Sequence, residues 1–78
     1  MVKVLFFAQI QEEVGAKELD FDAAGKTVQE VKNIYLEKYD IADLLAEAMV
    51  AVNEEYAKDD TILQAGDTLA FIPPVSGG

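Results

Sequence analysis

The sequence contains no cysteine and no histidine, and those two absences remove most of the ways in which a small protein performs chemistry alone. Without cysteine there is no disulfide and no thiolate nucleophile. Without histidine the usual general base is missing, and with both gone most zinc sites are excluded. Basic residues are scarce, six against fifteen acidic, for a net charge of −9. Such a charge repels phosphate backbones and anionic membrane surfaces, so no nucleic-acid partner is expected. The same charge serves solubility or complements a basic partner surface, and charge alone does not choose between them. No apolar run approaches the ~20 residues of a membrane helix, and neither the basic start nor the cleavage site of a secretory signal is present. No membrane association is expected, and the default location is cytoplasmic.

What remains is an ordinary composition for a folded chain. With 51% hydrophobic and 27% charged residues, it is too apolar to be disordered and should bury a core. Seventy-eight residues make one domain of marginal size, with no room for a second. There is no internal repeat and no low-complexity segment.

Hydrophobic alternation predicts a first strand over Val2 to Ala8, with Val2, Val4 and Phe6 on one side and Lys3, Leu5 and Phe7 on the other. Lys3 marks the second side as the one that meets water, which would expose Phe7. The alternative is that both sides are covered, as in a strand central to a layered stack. Gln9 to Val14 reads as a short helix with Ile10 and Val14 on one face, ended by Gly15 in the left-handed conformation. Lys17 to Phe21 alternates strictly, with Leu19 and Phe21 inward and a charged face suited to a sheet edge. Thr27-Val28-Gln29-Glu30 has the form of a capping box. The helix it opens should carry an apolar stripe of Val28, Val31, Ile34, Tyr35 and Tyr39, with Glu30, Lys32, Asn33, Glu37 and Lys38 facing water.

A second short helix is expected within Asp40 to Met49, with Leu44, Leu45 and Met49 apolar and Asp40 or Asp43 as its cap. Val50 to Val52 then reads as a strand, Asn53-Glu54-Glu55 as a turn, and Tyr56-Ala57 as the return of a hairpin. Ile62 and Leu63 are expected to anchor the following loop, and Ala65 to Thr68 to turn into a last strand ending at Ile72. In that strand Leu69 and Phe71 face the core, whereas Thr68, Ala70 and Ile72 take the open face.

The two prolines are adjacent, at 73 and 74. Each lacks the N–H that a sheet ladder needs and fixes φ near the polyproline value, so strand pairing must stop there and the chain leaves in a set direction. Residues Pro73 to Gly78 span roughly 20 Å when drawn out. Gly77 and Gly78 carry no Cβ and can pass through a narrow channel. Taken alone, a Gly-Gly ending is also what a frayed terminus looks like.

The segment Gly66-Asp67-x-Leu69-Ala70-Phe71-x-Pro73-Pro74-Val75-Ser76-Gly77-Gly78 closely resembles the carboxyl end of the small subunits of molybdopterin synthase, a family of ubiquitin-like sulfur carriers. Lys3-Val4-Leu5-Phe6-Phe7-Ala8-Gln9 resembles that family's first strand. The resemblance implies an α+β, ubiquitin-like β-grasp fold, a mixed sheet with one main helix packed across it and the first and last strands parallel at its centre. The domain would occupy residues 1–74, with 75–78 as a flexible Gly-Gly tail.

The resemblance also implies a mechanism. An adenylating and sulfurtransferase activating enzyme would use ATP to convert the Gly78 carboxylate into an acyl adenylate, and sulfur would replace AMP to leave a thiocarboxylate. The tail, with Gly77 next to its tip, would enter the large subunit of molybdopterin synthase, in a heterotetramer, and donate sulfur to cyclic pyranopterin monophosphate. Catalytic groups would belong to the large subunit, and no cofactor is expected to be bound by this chain. Phe7, Ile72, Pro73, Pro74, Val75 and Ser76 are the expected partner-binding residues. Two other readings stand beside this one: a related carrier of the thiamin type or a ubiquitin-like protein modifier, and a β-grasp interaction domain without tail chemistry.

Overall fold

In the computed structural model, which describes residues 1–74, the chain forms a five-stranded sheet with helical segments packed on one side. Strand β1, Val2–Phe6, alternates as its sequence requires: Val2, Val4 and Phe6 are buried, Lys3 is exposed and Leu5 half-buried. It ends at Phe6, not Ala8, because Ala8 adopts φ 51 and turns the chain into helix α1, Ala8–Val14. Gly15 closes α1 at φ 84, its N–H donating to the Gln11 carbonyl, the left-handed ending that glycine accommodates without a Cβ clash.

Strand β2, Glu18–Phe21, lies antiparallel to β1 at the sheet edge, with Leu19 and Phe21 half-buried against the core. Its exposed Glu18 and Asp20 suit that edge, since charge discourages pairing with another chain.

The capping box forms as expected. The Glu30 N–H donates to Thr27 Oγ1 and the Thr27 N–H donates to Glu30 Oε1, both at 3.1 Å, opening helix α2, Val28–Glu30. Hydrogen bonding from the Thr27 backbone lowers the Glu30 pKa. Replacing Thr27 with alanine is expected to cost about 1 kcal/mol of folding stability, the usual value of such a cap, measurable by urea denaturation.

The expected helical stripe then needs correction. Val31–Tyr35 continues as a π-helical turn, in which the Leu36 N–H donates to the Val31 carbonyl five residues back at 3.1 Å. The wider turn delays every side chain after Val31. Leu36, absent from the expected stripe, is 1% exposed, whereas Ile34 is 61% exposed. Lys32 is also not on a wet face: its side chain is largely covered and bonds Asp59 at 2.8 Å. Tyr35 and Tyr39 are core margin, as expected. The Tyr35 hydroxyl donates to the Asp22 carbonyl at 2.9 Å, and its ring rests against Phe21.

After a 3₁₀ turn, Glu37–Tyr39, helix α3 runs Ala42–Glu47 with Leu45 buried. Neither Asp40 nor Asp43 caps it. Ile41 holds the N-cap position, and among the described residues no side chain bonds there. Asp40 instead takes φ 54, a reversal that lets Ile41 enter the core at 3% exposure. Met49 belongs not to this helix but to strand β3, Met49–Val52, and is exposed.

The hairpin partner β4 is Glu55–Tyr56, so the turn is the two residues Asn53 and Glu54 alone. Leu63 is fully buried, but Ile62 is 62% exposed. In extended backbone adjacent side chains face opposite ways, and the Leu63 N–H bond to the Lys26 carbonyl at 2.8 Å commits Leu63 to the inside.

Strand β5, Thr68–Ile72, sits between β1, parallel to it, and β3, antiparallel to it, in the order β2-β1-β5-β3-β4. This is the β-grasp arrangement. Phe6 and Phe71 are opposed in the central pair, their rings stacked at 6.4 Å within the buried core. The start of β5 is fixed by a polar clamp: Asn53 Nδ2 donates to Asp67 Oδ1 at 2.9 Å, the Thr68 N–H donates to Asn53 Oδ1 at 3.0 Å, and the Gln64 N–H donates to Asp67 Oδ2 at 2.9 Å.

These bonds hold the Asp67 carboxyl below its ordinary range, the Gln64 amide contributing most and the Asn53 side chain next. A carboxylate with a depressed folded pKa adds stability above its unfolded pKa and loses it as pH falls through the folded value. The gap in thermal midpoint between the wild type and Asp67→Asn is therefore expected to close on acidification below the ordinary carboxylate range. A gap that stays constant down to strong acid would show that the clamp does not depend on the charge.

Candidate functional site: the open sheet face and the tail exit

Because β1 and β5 are parallel and in register, they end at the same rim. Phe6 opposes Phe71 in the last pair, and Phe7 and Ile72 are the next residues on the other face. Phe7 remains extended at φ −125 and ψ 150, and its carbonyl accepts from the Ile10 N–H at 3.1 Å, beginning α1. Its backbone is thus used by the helix while its ring is left 42% exposed. The alternation read from Lys3 holds, and the alternative of a strand covered on both sides does not.

Strand pairing places Leu5, Ala70, Ala51 and Tyr56 in one row across β1, β5, β3 and β4. The two central positions are alanines, so the row has a low floor between larger ends. The result is an apolar concavity of about 380 Å³ on the sheet face opposite the helices, lined by Leu5, Phe7, Ala51, Tyr56, Ala70 and Ile72, with Thr68 and Glu54 at its edge. Met49, opposite Ile72 in the register and 41% exposed, extends the apolar surface toward the rim.

Phe7 and Ile72 are therefore brought together as the sequence predicts. Tyr56, 81% exposed, and Met49 are members that the sequence reading missed. For Tyr56 the signal was the hairpin register, since a turn of only Asn53 and Glu54 puts it opposite Ala51 and so on the open face. Met49 shares that face by alternation with Ala51 once it belongs to β3 and not to the preceding helix. Pairing of β5 stops at Ile72, followed by half-buried Pro73 and exposed Pro74. Val75, Ser76, Gly77 and Gly78 lie outside the described residues.

Electrostatically the face is acidic at its margin. Lys3 is tied to Glu18 at 3.3 Å, and no lysine lines the concavity. Among the described residues no group of three or more acidic side chains is placed to hold a metal ion, and none of the helices is long and apolar enough to cross a membrane. Two further clefts lie between the π-turn and α3, with Lys32, Asn33, Ala42 and Leu45 common to both, but Lys32 is already engaged by Asp59. The open face holds no thiol or imidazole. What it can do is bury apolar side chains of another protein beside the point where the chain leaves the sheet.

Comparison with known proteins agrees with this geometry. A model of the ThiS family matches residues 4–78. The molybdopterin synthase sulfur carrier subunit of Escherichia coli is 38% identical over 81 residues, covering 100% of both chains. Among solved structures, a putative molybdopterin converting factor subunit 1 from Pyrococcus furiosus superposes with a TM-score of 0.82 at 25% identity, over 95% of this chain and 97% of that one. A solved complex of subunits 1 and 2 of the molybdopterin-converting factor from Helicobacter pylori contains a chain that matches with a TM-score of 0.73 at 28% identity, over 99% of this chain and 97% of that one.

Proposed function

The chain belongs to the ThiS family, and from its 38% identity to a molybdopterin synthase sulfur carrier subunit we propose that it is the sulfur-carrying small subunit of a molybdopterin synthase, with Gly78 as the residue that bears the sulfur. The observation that carries the reading is the coincidence of three features at one rim. Parallel β1 and β5 end together, Pro73-Pro74 stops the ladder there, and the apolar concavity with Phe7 and Ile72 lies alongside. That is the layout for a domain that docks by its open face and delivers the residues after Pro74 into the partner. The relationship to a chain solved in complex with its subunit 2 supports a large-subunit partner.

A carboxylate is a poor electrophile, so the Gly78 carboxylate is first activated. It attacks the α-phosphorus of ATP on an activating enzyme, pyrophosphate leaves, and a sulfide-level sulfur nucleophile then attacks the acyl carbon of the mixed anhydride and expels AMP. The resulting thiocarboxylate is ionised at neutral pH and is a competent nucleophile without a general base, which suits a chain that has neither histidine nor cysteine. With the chain docked on the large subunit, the thiocarboxylate sulfur bonds to a carbon of cyclic pyranopterin monophosphate. Water then cleaves the resulting thioester between that sulfur and the Gly78 carbonyl, leaving the sulfur on the product and recovering the Gly78 carboxylate for another round.

Reconstitution tests this directly. The thiocarboxylated chain mixed with the large subunit and cyclic pyranopterin monophosphate should yield the dithiolene product, and the carboxylate form should yield none. Equal product from both forms would contradict the role.

A further inference from the structure

The turn between β3 and β4 has two central residues with positive φ, Asn53 at 52 and Glu54 at 71. Asparagine suits the first position, and its amide donates to Asp67 and accepts from Thr68 in the clamp. The second position is the one at which such hairpin turns favour glycine, because a Cβ in the left-handed region crowds the following carbonyl. Glu54 holds it with no compensating contact: among the described residues its exposed carboxylate makes neither an ion pair nor a hydrogen bond. The same residue stands at the edge of the apolar concavity, with Leu5, Phe7, Tyr56 and Ile72. Between Lys38 and Lys58 the chain has five acidic residues and no basic one, so nothing on this hairpin offsets the charge.

A side chain kept in a disfavoured backbone region, beside a docking surface and unsupported by its own chain, points to a contact outside the chain. Resting on the docking role proposed above, we infer that Glu54 is a recognition residue of the open face: the partner protein that buries Leu5, Phe7, Tyr56 and Ile72 carries a lysine or arginine over Glu54. The apolar centre supplies affinity and the carboxylate at its edge supplies orientation and encounter rate. A second copy of this chain fits poorly as the occupant, since it would bring a net charge of −9 against the same acidic edge.

The test measures association of the full chain with the purified large subunit by stopped flow at low and high salt. Glu54→Gln is expected to slow association ~3-fold and Glu54→Lys at least ~10-fold at low salt, as edge charges do, with both differences shrinking at high salt. Glu54→Gly is expected to show the association defect of Glu54→Gln while raising the thermal midpoint by ~3 °C, relief of the left-handed strain exceeding the added freedom of the unfolded chain. Association of Glu54→Lys at the wild-type rate at every salt concentration would overturn the inference, as would a lowered midpoint for Glu54→Gly. Phe7→Ala separates the two levels. If it weakens binding and Glu54→Lys does not, only the role of Glu54 fails. If neither matters, the docking face itself is wrong. A wild-type chain that sediments as a dimer broken by Phe7→Ala would assign the face to a second copy instead.

Discussion

Deletion of Gly78 is expected to abolish sulfur transfer while leaving the thermal midpoint of the domain nearly unchanged. The chemical half follows from the atom that the proposed cycle uses. Without Gly78 the terminal carboxylate belongs to Gly77, one residue of reach is lost, and the acyl group falls short of the reacting positions of both partners. Even a small misplacement of reacting groups costs orders of magnitude in rate. The stability half follows from where the core sits: every buried apolar side chain of the described structure lies between Val2 and Phe71. Differential scanning calorimetry beside a single-turnover transfer assay checks both halves. A large fall in the midpoint would show that the end of the chain is structural.

Replacement of Phe7 by alanine is expected to weaken binding to the large subunit at least ~20-fold, as removal of an apolar anchor near an interface centre costs ~2 kcal/mol or more. The ring is 42% exposed in the free chain, and the backbone of Phe7, which begins α1, is retained by any residue except proline. Fold stability should therefore fall little. Neutralising Glu12 or Glu55 should change the equilibrium much less, since edge charges act mainly on association rate and salt dependence. Isothermal titration calorimetry with a parallel thermal melt decides the matter. If Phe7→Ala unfolds the domain while the folded remainder binds normally, Phe7 is a core residue and not a docking residue.

How far the sequence reveals this molecule depends on which physical signal each residue gives. Strict alternation in β1, β2 and β5 placed their inner and outer faces correctly, because a period of two leaves only one register when a lysine or threonine marks the wet side. The Thr27–Glu30 capping box was legible because both partners are local. What failed were departures from regular periods. The π-turn after Glu30 exchanged Ile34 for Leu36 in the core, and nothing in a helical pattern announces an inserted residue. Ile41 enters the core through the reversal at Asp40, whose φ of 54 no helical or strand period announces. Ile62 and Leu63 are adjacent and apolar, and which one is inside is set by how the segment pairs with the Gly25–Thr27 stretch, not by either side chain. The candidate site was half legible: Phe7, Leu5 and Ile72 follow from counting by twos, but Tyr56 depends on hairpin register, which a two-residue turn with a non-glycine second position conceals, and Met49 on where α3 gives way to β3.

If this chain carries sulfur on its terminal carboxylate, as proposed, its intact mass changes on incubation with ATP, an activating enzyme and a sulfur source. The expected result is a gain equal to the difference between sulfur and oxygen, mapped by fragmentation to Gly78 and absent when ATP is omitted. An unchanged mass under conditions that charge a known sulfur carrier, or a sulfur atom mapped to any other residue, would contradict it.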